Sequence, residues 1–185
     1  GVLRAANILG CVLGSLAVGL LALSWFGTTG TLRLLMLVGV FFAAVGVRHF
    51  GLRTPFSAAL LGLLVLAGLL PSQRGLWLRI HGSADERALV EEDATSVSAI
   101  LPRGPAWGVF VGGKSHSWLP FSGVHNGLGA APAVVHPAPV DVAIIGLGSA
   151  NTAWAAGSRE ETRSITVFEI SGPQPRLLRR LAGRE

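Results

Sequence analysis

Apolar and polar positions are distributed unevenly, and the change comes near Pro71. Before it, apolar residues run almost unbroken. Residues 5–26 contain no charge and only Asn7, Ser15 and Ser24 as polar interruptions, long enough for a membrane-spanning helix of about 20 residues. Residues 34–47 form a shorter apolar core, which Thr31, Leu32 and the end-placed, snorkelling Arg33 and Arg48 extend to a second span. A third run covers 55–70, with Pro55 suited to a first helical turn and Pro71 stopping it. The pattern predicts three transmembrane helices, about 5–26, 31–50 and 55–70. A cleaved signal peptide fits poorly with three successive runs and no convincing cleavage site.

After Pro71 the pattern is that of a globular domain. Residues 71–86 read as a linker. Short stretches rich in β-branched and aromatic residues at 88–91, 95–101 and 107–111 predict strands. Pro102-Arg103-Gly104-Pro105 and Gly112-Gly113 supply the turns of a small antiparallel element. Residues 122–131 read as a helix before the Pro-rich stretch His136-Pro137-Ala138-Pro139. Residues 140–145 are the kind of apolar run that a buried parallel strand requires. Gly146-Leu147-Gly148-Ser149-Ala150 follows, then a helix over 151–156 and a second strand over 165–168 ending in Glu169. Glycines after a strand let the backbone pass close to a ligand, and an acid about 20 residues on can accept hydrogen bonds from ribose hydroxyls. The spacing points to an adenosine-type ligand; its alternative is that the glycines merely turn a tight βα corner. Asn151 stands where the dinucleotide pattern has its third glycine, which favours an S-adenosyl ligand over NAD.

Charge alters this picture little. Charged residues make up 14% of the chain and hydrophobic ones 50%, with a net charge of +5, against a usual charged fraction of about a quarter. Nucleic acid is excluded as a partner: Lys114 is the single lysine, and the arginines are scattered or flank apolar runs. The Arg176, Arg179, Arg180 and Arg184 cluster reads as a solvated helix face. Between Val2 and Leu70 the charged residues are Arg4, Arg33, Arg48 and Arg53. Runs without acids, lysines or a mid-span histidine argue against a transporter. The arginine balance leans toward a cytoplasmic C-terminal half. Gly10 and Gly14, with Gly19 nearby, offer a face for a neighbouring helix, or are simply common in such helices. Cys11 in an apolar run leaves no intrachain disulfide and reads as a small buried side chain.

These pieces together resemble the polyamine aminopropyltransferases, the spermidine synthase-like family, in the branch fused to a membrane domain. The resemblance runs from Arg87 to Leu181. It rests on Gly113 after a hairpin, His125 with Leu128 and Pro132, the His136-to-Pro139 approach, Val142-Ala143-Ile144-Ile145-Gly146-Leu147-Gly148-Ser149, and Val167-Phe168-Glu169-Ile170. It implies a small β-rich part over 87–135 and the start of a Rossmann-like nucleotide-binding domain over 136–185. It also implies decarboxylated S-adenosylmethionine as co-substrate, with no metal, and transfer of its aminopropyl group to putrescine or a related amine. Gly146, Gly148 and Ser149 would form the nucleotide loop and Glu169 would hold the ribose. His116 and His125 would stand near the amine. The family's acids are replaced: an Asp-Glu pair by Pro120 and Phe121, a tyrosine and a glutamate by Val124 and Asn126, and a loop aspartate by Ser149.

The family's catalytic aspartate follows a fourth strand that this chain does not reach, so no residue is assigned as catalytic. His125 is a candidate base, or a packed or capping histidine. The expectation is a fragment of a membrane-anchored transferase at the inner or plasma membrane. Its partners would be the bilayer, a small polyamine and, as an option, a second copy. The alternative is a degenerate, non-catalytic adenosyl-binding module on the same anchor.

Overall fold

The computed structural model describes residues 1–50 and 55–183; Arg53 and Arg184 lie outside the described residues. The chain divides into two compact units, Gly1–Leu76 and Trp77–Glu185.

In the first unit, α1 (Val2–Leu16), a π-helical turn (Ala17–Ala22) and α2 (Leu23–Phe50) follow one another without a loop. Val2–His49 is one helical run of 48 residues, long and apolar enough to cross a membrane. This corrects the expectation of three spans. The break expected near 27–30 is confined to Gly27, whose backbone is non-helical at φ 63° and ψ −175°. No proline or charged residue lies between Ala5 and Leu32, so nothing else withdraws the backbone from its own hydrogen-bond ladder.

The expected third span fails on length. The α3 helix (Pro55–Leu69) has 15 residues and rises about 22 Å, short of a hydrocarbon core of about 30 Å. Its described part, Ala58–Leu69, passes as a span only together with α4 (Gln73–Ile80), and the pair is bent by 90° at the break. Arg33 does not mark a span end either. Its guanidinium donates to the carbonyl oxygens of Ala67 and Leu70 at 3.2 and 2.6 Å, groups that a helix C-terminus leaves without partners. Gly10, Gly14 and Gly19 face open space, and Cys11 is exposed.

The second unit is built around an antiparallel meander of β1 (Leu89–Glu92), β2 (Val97–Arg103), β3 (Ala106–Val111) and β4 (Lys114–Leu119). Strand alternation sends successive side chains to opposite faces, and here both faces are covered. Leu89, Ile100 and Val109 pack against Leu177 and Leu181 of α7 (Pro173–Ala182). Ala88, Ala99 and Leu101 pack on the other side with Leu78 of α4. Arg176 ties α7 to the sheet through Glu91 and Asp93, and Arg180 reaches Glu91 at 3.3 Å. Burial pushes the Asp93 carboxyl up. Hydrogen bonds from the Thr95 hydroxyl, the Arg176 guanidinium and the Thr95 and Ser96 amides outweigh it and hold the group at about 2.

The remaining elements are α5 (Gly123–Val135), β5 (Asp141–Ile145), α6 (Asn151–Ala156) and β6 (Ser164–Phe168). β5 and β6 pair in parallel, with Ile145 opposite Phe168. α5 packs on α6 so closely that a Cβ on Gly129 would stand 2.2 Å from the Thr152 carbonyl oxygen. The expected Rossmann-like domain is also corrected: the parallel sheet has two strands, separate from the antiparallel four. The expected buried strand is half exposed. Ile144 is buried, but Ile145 is 93% and Phe168 61% exposed. One βαβ unit places its helix on one face of the pair, and no described element covers the other.

Candidate functional site

The glycine loop joins β5 to α6, and its backbone explains its composition. Gly146 and Gly148 have φ of 89° and 52°, a region that side chains with a Cβ enter at a cost of about 1–2 kcal/mol. Ala150 enters it as well, at φ 68°, and such strained residues gather at ligand-binding sites. The loop is held from three sides. Glu169, just past β6, accepts from the Leu147 amide at 2.6 Å and from the Ser171 amide at 2.7 Å. Gln174 of α7, fully buried, donates to the Gly148 carbonyl. Asn151 donates to the Trp118 carbonyl of β4 at 2.8 Å.

His116 lies on β4 and His125 on α5, nine residues apart, and their rings come together with centroids 5.6 Å apart. His125 Nε2 is 2.9 Å from the His116 carbonyl oxygen. A carbonyl only accepts, so Nε2 carries the proton and Nδ1 of the neutral ring keeps its lone pair. The Thr152 hydroxyl of α6 donates to the His125 carbonyl at 3.1 Å, fixing the start of α5 over the loop.

A cavity of about 210 Å³ opens between these groups, lined by His116, His125, Leu128, Gly146, Gly148, Ser149 and Thr152 among others. Of the six residues singled out from the sequence, five line it. Glu169 is the exception: it holds the loop through the Leu147 amide. Sites that enclose drug-sized ligands measure roughly 300–1,000 Å³, so this cavity encloses only part of a nucleoside-sized molecule. A second cavity of about 690 Å³ shares Ser149 with it.

No family model, curated protein or solved structure matches the chain. The site therefore stands on its geometry alone. Among the described residues no group of three or more His, Cys, Asp or Glu is placed to hold a metal ion.

Sequence reasoning missed Thr152, Asn151 and Gln174. Each binds a backbone carbonyl distant in sequence, and no local pattern marks such a partner. The hydroxyls of Ser117 and Ser149 and the Gln174 carbonyl oxygen are buried without a hydrogen-bond partner. Ser117 and His116 both approach Gly148: a Cβ there would lie 3.4 Å from His116 Nδ1 and 4.0 Å from Ser117 Oγ. Unpaired buried polar atoms cost about 1–3 kcal/mol each, and all three lie in or against the glycine loop.

Proposed function

We propose that the protein is a membrane-anchored transferase that carries the aminopropyl group of decarboxylated S-adenosylmethionine to an amine. The observation that carries this reading is the convergence of His116, His125, Gly146, Gly148 and Ser149 on one cavity. The loop would take the adenosyl part. Each Glu169 oxygen already accepts one backbone N–H and retains a lone pair for a ribose hydroxyl.

In the transfer, the lone pair of a neutral amine attacks the methylene carbon bonded to the sulfonium. The C–N bond forms as the C–S bond breaks, and that electron pair stays on sulfur as the neutral thioether 5′-methylthioadenosine. The amine then sheds a proton, for which His125 Nδ1 is the acceptor the site offers. The protein's further contribution is positioning, through a loop fixed by Glu169, Gln174 and Asn151. The Val2–His49 helix would hold the chain in the cell membrane, since most of its large apolar side chains are exposed within the structure. Arg48 lies at the end of that helix and Arg53, Arg74 and Arg79 follow it in the sequence, a bias that would favour the cytoplasmic side for the Trp77–Glu185 unit.

A second reading, a non-catalytic adenosyl-binding module, is favoured by the engagement of both Glu169 oxygens and by cavities without an acid among the described lining residues. Incubating the chain with decarboxylated S-adenosylmethionine and a panel of amines separates the two. Release of 5′-methylthioadenosine that depends on the amine supports the enzyme. Binding without release supports the module.

A further inference from the structure

The larger cavity lies beside the glycine loop and has a different chemistry. Its wall is formed by Trp107 of β3, Leu119 at the end of β4, Pro120 and Phe121 after it, Trp154 of α6 and Leu178 of α7. Among the described residues lining it, none is charged. Trp154 and Phe121 stand edge to face at its mouth, with centroids 6.0 Å apart and ring planes at 69°. Both are about two-thirds exposed, an unfavourable arrangement for two large aromatic rings unless something apolar covers them. Ser149 and Asn151, both buried, form its polar corner, and Ser149 is shared with the loop cavity.

A diamine of the putrescine type is doubly charged in water. Bringing its second ammonium into this space would remove hydration and return no counter-charge. A monoamine with an aromatic ring meets the opposite conditions. Its ring would displace water from Trp107, Leu119 and Leu178 and complete the Phe121–Trp154 pair, in edge-to-face contacts of the kind aromatic groups prefer. Its amino group would reach the Ser149 corner, which borders the adenosyl cavity. We infer that the acceptor is an aromatic monoamine seated in this cavity. The inference rests on the transfer reading above, and it narrows that reading to one class of substrate.

The test uses the whole chain in lipid nanodiscs and three probes: 5′-methylthioadenosine, phenethylamine and putrescine, each titrated calorimetrically. The expected result is that all of the adenosyl probe's binding persists in Trp154→Ala, while phenethylamine binds at least tenfold more tightly than putrescine and loses about tenfold in that variant. Trp154 is exposed, so its removal leaves the core intact. Phe121→Asp serves as a second variant, expected to lower the preference for phenethylamine by placing a carboxylate at the mouth. If the adenosyl probe binds but putrescine matches or exceeds phenethylamine, the aromatic acceptor is overturned and the transfer reading survives. If phenethylamine binds and the adenosyl probe does not, the transfer reading fails, and with it the acceptor assignment. If neither amine binds, the cavity is not an acceptor site.

Discussion

The two sheets of the Trp77–Glu185 unit are made from similar sequence material and reach opposite ends. β2 is buried along Val97, Ser98, Ala99, Ile100 and Leu101 because α7 covers one face of the meander and Leu78 the other. β5 and β6 carry apolar residues too, yet Ile145 and Phe168 face open space. An apolar run states what a strand can bury and says nothing of whether a second layer exists to bury it. The difference also divides labour. The closed sheet supplies rigidity, and the open pair presents the glycine loop at its edge.

The comparison breaks most visibly at Leu177, the fully buried residue through which α7 closes the meander. Leu177→Ala is expected to cost about 2–5 kcal/mol in a urea or thermal melt followed by tryptophan fluorescence. A loss below about 1 kcal/mol would mean that α7 does not close the sheet. Gly129→Ala tests a tight joint on the open side. The new Cβ collides with the Thr152 carbonyl of α6, so a loss of about 1–3 kcal/mol is expected. His125 should shift with α5, visible as a changed His125 ring signal in NMR.

Acid separates the two regions as well. Asp93 has a depressed carboxyl, held at about 2 against an ordinary value of 3.8, so the stability it contributes is complete above about pH 4. It is lost as pH falls through about 2. With screening by solvent, the loss is about 1–2 kcal/mol, and Asp93→Asn should flatten the melting profile across that window. The smallest effect is expected on the open face: Ile145→Ser should change stability by less than about 0.5 kcal/mol. A larger loss would show that something covers that face in solution.

What the sequence disclosed follows the same division. Turns at Gly104 and Gly112-Gly113, the glycine loop and the strand ending at Glu169 were legible because each is a local pattern with a backbone reason. β4 was not: Lys114-Ser115-His116-Ser117 is polar, and its pairing with β3 supplies the strand character that its composition lacks. The α4 helix lies where the local pattern reads as linker, since its eight residues are anchored by distant partners, among them Trp77 to Glu92 at 2.8 Å. Apolar length alone predicts three spans. Length cannot tell that Gly27 interrupts a helix at one residue, or that Arg33 caps α3 instead of marking a boundary. His116 and His125 were singled out by resemblance, but their meeting over the loop depends on how α5 packs on α6, which no local pattern encodes.

The central claim is that the glycine loop and the two histidines form an adenosyl site. Its most direct measurement is calorimetric titration of 5′-methylthioadenosine into the whole chain in nanodiscs, beside Gly148→Val. That substitution puts a branched side chain on a positive-φ residue and against His116. Saturable one-to-one binding to the native chain, weakened at least tenfold in a variant that still unfolds cooperatively, is the result the account requires. No binding by the native chain, or equal binding by both, would contradict it.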